Sequence, residues 1–323
     1  MSKSSASSRD AASAVPSSRI GRLARLGSLA SGVAGGMLAE GARQLAQGKK
    51  PRMGDLLLTP TNAQRVAGQL AQLRGAAMKV GQLLSMDAGS LMPPELAEIL
   101  ARLRENARTM PMSQVVEVLE THWGKGWEQH FSRFSFTPTA AASIGQVHRA
   151  CDKGGRELAV KIQYPGVRRS IDSDVDNVAT LLKLSGLLPK SLNVAPLLKE
   201  AKRQLHEEAD YDHEAQYLQR FRQLLDGDAD FLLPAAISAL TSADILVMSW
   251  VEGVAVESLG TAPQAVRDRI ASRLIVLFFR ELFEFRLIQT DPNFANYRYA
   301  ADVTDRHNRA TDDRHIEATR TGL

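Results

Sequence analysis

The stretch LAVKIQYPGV (residues 158–167) sets a single lysine, Lys161, in an apolar, partly β-branched run. Alternate side chains of a strand point to opposite faces. Leu158, Val160 and Ile162 therefore share one face, and Ala159, Lys161 and Gln163 the other. A small alanine beside a lysine suits a nucleotide, with room for a ring and a cation for phosphate. A solvated strand face has the same pattern. Upstream, TPTAAASIGQVHRA places Ala140, Ala141, Ala142 and Ser143 where two strands would meet, with Gly145 following. Small residues let backbone N–H groups approach an anion, and alanines make such a loop stiffer than glycines would. A buried small-residue turn has the same composition.

Two more groups lie downstream. EEADYDHEA presents Glu208 and Glu214 six residues apart. On one continuous helix over 195–224 their directions differ by roughly 120°, so one helix offers two carboxylates to two different lysines, with Glu214 suited to Lys161. A solvated acidic face reads the same way. QTDPNFAN presents Asp291 and, five residues on, Asn296. D-P-N alone is an ordinary turn. Protein kinases order a small-residue loop, a strand lysine, a helix glutamate and an Asp-x4-Asn loop in this sequence, with the Asn on magnesium.

The elements that must position these residues follow from periodicity. Residues 1–18 are Ser- and Ala-rich and read as disordered. A glycine-rich helix follows over 19–47, then a linker, KKPRMGDLLLTPTN. Ala63, Val66, Ala67, Leu70, Leu73, Ala77, Val80 and Leu84 recur at helical steps, which predicts a helix over 62–86. Met92-Pro93-Pro94 breaks it before a shorter helix over 94–108 and another in MSQVVEVLETHWG. SIGQVHRAC and ELAVKIQY, split by DKGGR, predict an antiparallel hairpin. Helices return at 170–186 and 195–224, strand-like runs within 231–251, and a last helix at 263–286.

Composition narrows the function classes. The chain has 323 residues and one cysteine, Cys151, which excludes an intrachain disulfide framework. Its net charge of +4 hides an asymmetry: residues 1–54 hold nine Lys/Arg against two Asp/Glu, leaving the remainder net negative. A basic leader attracts an anionic membrane surface; few aromatics interleave with it, which argues against nucleic acid. No run of eighteen or more apolar residues predicts a membrane-spanning helix. GSLASGVAGGMLAEGA fits a membrane surface or a packed helix equally.

The sequence resembles the UbiB/AarF family of atypical kinase-like ATPases, which support ubiquinone biosynthesis. AAMKVGQLLSMD matches its K-x-G-Q signature, TAAASIGQVH its alanine-rich loop, EADYDHEA its E-x-D signature and helix glutamate, and QTDPNFAN its catalytic loop. The resemblance runs from about residue 20 to 299. It implies an α+β, protein-kinase-like fold: a small antiparallel sheet in the N-lobe, added N-terminal helices and a partial helical C-lobe. It implies binding of ATP or ADP with magnesium. Lys161 would meet the phosphates and pair with Glu214, under the loop Ala140, Ala141, Ala142 and Ser143. Lys79 and Gln82 would fold over the active site, with Lys79 reaching Glu208; Asp210 belongs to the same signature. Asp291 would be the catalytic-loop aspartate and Asn296 a metal ligand. Implied partners are a nucleotide, a membrane surface, and ubiquinone-biosynthesis proteins or lipid intermediates. The implied location is cytoplasmic and peripheral to the inner membrane in a bacterium, or the matrix side of a mitochondrion.

The organisation expected is a basic leader (1–54), a helical extension (55–130), an N-lobe with inserted helices (131–252), a partial C-lobe (253–299) and a polar tail (300–323). The tail departs from the family: no apolar strand follows Tyr299 and no Asp-Phe-Gly triplet occurs there. The expectation is a truncated or frame-disrupted member, whose helix 263–286 leaves an apolar face of Leu274, Leu277, Phe278 and Leu282 uncovered. A catalytically dead nucleotide- or lipid-binding scaffold and a nonfunctional fragment are the alternatives to an active ATPase.

Overall fold

A computed structural model describes residues 35, 41–48, 70, 73–88, 109–184, 193–228, 230–289, 294–300 and 316–317. They gather into two compact units. The first lies within Met1–Leu119, Ser143–Gln146 and Gln163–Ala209, the second within Glu120–Ala142, Val147–Ile162 and Asp210–Leu323. The leader, apart from residues 35 and 41–48, and the helix expected over 94–108 lie outside the described residues.

The first unit is helical. Helix α1 (Arg74–Ala88) carries the three- and four-residue apolar steps of the sequence, and Ala76, Ala77, Val80 and Leu84 are its buried edge. The expected start at residue 62 lies outside the described residues. Helix α2 (Met112–Trp123) buries Val115, Val118 and Leu119. Helix α3 (Val167–Leu184) packs on α4 (Ala195–Glu208), and α1 packs on both. Pro196 lies in the first turn of α4, where a missing N–H costs nothing.

The second unit is built on a five-stranded sheet. Strands β1 (Phe131–Phe134), β3 (Gly145–Asp152), β4 (Glu157–Gln163) and β6 (Ile245–Ser249) lie in the order β1-β3-β4-β6, and β2 (Ala140–Ala141) pairs with β3. Residues 153–156 join β3 to β4, the expected hairpin; Asp152 N–H donates to the Arg156 carbonyl (3.0 Å). An antiparallel sheet commonly keeps one face in water. Here Leu158, Ala159, Val160, Lys161, Ile162 and Gln163 are all buried, and helix α5 (Tyr211–Leu224) packs on β6. Each fully buried branched side chain contributes about 1.5–3 kcal/mol. Strand β1, which hydropathy alone did not signal, is held by an aromatic cluster: Trp127 meets Phe131, Phe134 and Phe136 edge-on.

Two expectations are corrected. The helix expected over 195–224 is two helices. At Asp210 the backbone leaves the helical region (φ −102°, ψ 87°), and its carboxylate accepts the His213 N–H at 3.2 Å, capping α5. Glu208 and Glu214 therefore stand on different helices, and the 120° relation does not hold. The last helix is also divided. Helix α6 (Gln264–Phe279) passes into a π-helical turn, Arg280–Phe285, closed by Arg286 at φ 53°. Of its expected open face, Leu277 is buried, while Phe278 and Leu282 are exposed.

A second sheet orders β5 (Phe231–Leu232), β9 (Ile316–Glu317), β8 (Arg298–Tyr299) and β7 (Val254–Ala255). Its β7–β8 pairing sets Val254 opposite Tyr299, just beyond Asn296.

Candidate functional site

In the second unit Lys161 lies on β4 opposite Leu246 of β6. Its ammonium donates to both carboxylate oxygens of Glu214, each at 2.9 Å. The two side chains are 0% and 2% exposed, so the solvated strand face is overturned. The ammonium also stands 4.7 Å from the ring centre of Tyr211, the first residue of α5. Tyr211 is fully buried, and the sequence reading had no place for it. Aromatic spacing relative to Glu214 is the only signal that could have found it. A buried ion pair survives only with good geometry and further partners; the symmetric approach and the aromatic face supply both.

Ala140 and Ala141 are not an open loop but a short strand on β3, and Thr139 N–H donates to the Val147 carbonyl at 2.8 Å. On β3 itself, His148 is buried, stacks on Phe134 and has Nδ1 2.8 Å from the Ser135 carbonyl. Burial lowers the pKa of His148 below its ordinary value, against an opposing effect of that hydrogen bond. A carbonyl oxygen only accepts, so Nδ1–H is the donor in this contact.

In the first unit, the Ser143 hydroxyl donates to Glu208 at the end of α4. Gly75 of α1 meets the same turn: a Cβ there would lie 3.0 Å from Ile144 Cγ2 and 3.1 Å from the Ser143 carbonyl oxygen. A side chain at this position would therefore need Ile144 or the Ser143 backbone to give by a few tenths of an ångström. Lys79 is buried on α1 and Gln82 half-buried one turn on. Glu200 of α4 is held at about 2, first by hydrogen bonds from Arg203 and Gln204 and, further down, by the charges of Arg203 and Lys79. Gln163 closes the base of the turn, donating to the Ala209 carbonyl at 2.7 Å.

Asn296 ends a 3-10 turn, Phe294–Asn296, closed by the Tyr297 N–H on the Phe294 carbonyl at 3.0 Å. It is half-buried. Asp291 lies outside the described residues. Among the described residues no group of three or more His, Cys, Asp or Glu could hold a metal ion. The amide oxygen of Asn296 is a hard donor of the type magnesium accepts, and magnesium commonly takes its remaining ligands from phosphates and water.

The chain matches the ABC1 atypical kinase-like domain over residues 102–308. It is 42% identical over 292 residues to the mitochondrial atypical kinase COQ8B of Danio rerio, covering 89% of this chain and 47% of that protein. It is 41% identical over 287 residues to the mitochondrial atypical kinase COQ8 of Saccharomyces cerevisiae, covering 89% of this chain and 57% of that protein. The chain thus spans about half the length of the curated relatives it matches. Among solved structures it resembles Rv3197 from Mycobacterium tuberculosis, solved as a complex with erythromycin. The TM-score is 0.53 and the identity 29%, over 78% of this chain and 62% of that one.

Proposed function

The chain belongs to the family of ABC1 atypical kinase-like domains, and from that premise we propose that it is a nucleotide-binding, kinase-like ATPase of ubiquinone biosynthesis. The observation that carries this reading is the buried Lys161–Glu214 pair. An ammonium withdrawn from water and held by a carboxylate on a separate helix is what a phosphate contact requires: a cation fixed before the ligand arrives. Lys161 then binds the phosphates, with the Ala140–Ala142 segment as their cover. Asp291 orients the nucleophile. Asn296 offers its amide oxygen to magnesium, which when bound neutralises charge on the phosphate oxygens.

The relatives carry the word mitochondrial in their names. A matrix-side or bacterial inner-membrane location follows as part of the proposal. No described helix is long and apolar enough to cross a membrane, and the positive surplus of residues 1–54 suits an anionic lipid surface. Partners in this reading are proteins or lipid intermediates of ubiquinone biosynthesis.

A second reading of the same Lys161–Glu214 pair is nucleotide binding without turnover. Magnesium-dependent ATP hydrolysis separates the two. The nucleotide site itself is tested by ADP titration of Lys161→Ala: the expected result is loss of binding, and unchanged affinity in a folded variant refutes the assignment.

A further inference from the structure

The π-helical turn after α6 holds a polar network that the roles above leave unused. Glu281, at its second position, is 3% exposed. Its backbone carbonyl accepts the N–H groups of Arg286 and Leu287, the latter at 3.1 Å. Its carboxylate accepts the N–H of Gln289 at 2.9 Å. The chain leaving the helix is thus wound round one residue, helped by the left-handed Arg286 (φ 53°). Gln289 is also 3% exposed, and its side-chain oxygen accepts the hydroxyl of Tyr297 at 2.8 Å. The Tyr297 backbone N–H closes the turn that ends in Asn296, and its carbonyl accepts Val256 N–H at 3.2 Å. Gln289 and Tyr297 bracket the segment that carries Asp291 and Asn296.

We propose that Glu281, Gln289 and Tyr297 form a buried brace that positions Asn296 for a nucleotide-bound divalent cation. Glu281 fixes where the segment begins, Tyr297 where it ends, and Gln289 joins the two. π-helical turns are rare and frequent at functional sites; this one brings the Glu281 carboxylate and carbonyl to bear on the same exit. The three are positioning residues and touch neither nucleotide nor metal. The inference rests on the nucleotide reading of the preceding subsection.

The test uses the full 323-residue chain with manganese as the probe, read by electron paramagnetic resonance with and without ADP, and metal-free ADP affinity by calorimetry. Tyr297→Phe deletes one oxygen and keeps the ring. Expected is unchanged metal-free ADP affinity with a loss of about tenfold in the gain that ADP gives to manganese binding, within the usual range of coupling between sites. A merely structural role lowers the melting temperature and leaves that gain intact in the folded fraction; that result overturns the brace. If Tyr297→Phe does not melt cooperatively, Glu281→Gln decides. It keeps an oxygen for the Gln289 N–H but weakens the bond, and an undiminished gain there overturns the brace equally. No ADP-dependent manganese binding in the unaltered chain instead refutes the metal reading of Asn296, and the brace falls with it.

Discussion

Replacing both members of the Lys161–Glu214 pair should harm stability far less than replacing either one. The ammonium lies 2.9 Å from both carboxylate oxygens, with both side chains essentially without solvent. Lys161→Met leaves a carboxylate buried without its cation, and Glu214→Leu leaves an ammonium buried without its anion. Each should cost about 3–5 kcal/mol, the usual penalty for breaking a buried pair from one side. Lys161→Met also forfeits the contact with the Tyr211 ring at 4.7 Å, a further loss of about 0.5–2 kcal/mol. The double variant removes both charges and keeps similar volumes, so it should lie within about 2 kcal/mol of the unaltered chain. The double-mutant cycle then gives a coupling of about 4 kcal/mol or more. Urea titration followed by circular dichroism measures all four proteins. Single variants costing under about 1 kcal/mol each, and adding in the double, refute the argument that the pair is desolvated. The double variant also separates fold from function: folded but blind to ADP, it supports the phosphate role of Lys161; folded and still binding ADP, it makes the lysine structural only.

His148 makes stability depend on pH. Its folded pKa lies below the ordinary imidazole value because burial disfavours the charged ring, so between the two values the unfolded chain binds more protons and stability rises with pH. Stability should therefore fall as the pH drops below about 6.5, with this residue contributing at most about 1.4 kcal/mol per pH unit. Denaturant midpoints of His148→Gln across pH 5–8 should show a flatter slope, and an identical slope refutes the assignment. Gly75→Ala improves helix propensity by about 1 kcal/mol, but its Cβ meets Ile144 Cγ2 at 3.0 Å and the Ser143 carbonyl at 3.1 Å. Overpacking of this kind costs about 1–3 kcal/mol, so the net change should be a loss; a raised melting temperature shows that the turn yields.

The hairpin over 145–163 was legible because β-branched residues alternate about a glycine-bearing turn, and Lys161 was legible as the one charge within it. Its burial was not. Periodicity assigns faces to a strand but cannot say whether the polar face meets water, and α5 packs on β6 where the pattern of Ala159, Lys161 and Gln163 would equally suit solvent. Strand β1 escaped because FSRF alternates over only four residues and owes its place to the Trp127 cluster. The π-helical turn escaped too: RELFEF continues the composition of α6, and only the reach of Glu281 to Gln289 distinguishes it.

The break between α4 and α5 shows how a missed boundary bears on the chemistry. Helical spacing runs through EEADYDHEA without interruption, so one helix was the natural reading. Asp210 instead turns its carboxylate onto the His213 N–H and starts a new helix. In an unbroken helix Glu214 would sit in the interior, where peptide dipoles offer it little. As built, it falls in the first turn of α5, where the positive helix end favours a carboxylate by about 0.3–1 kcal/mol, and up to about 2 where partly buried. That contribution acts on the same group that must offset the desolvation of Lys161. The break also begins α5 with Tyr211, whose ring faces the ammonium. Asp210 therefore supports the pair by setting where a helix begins.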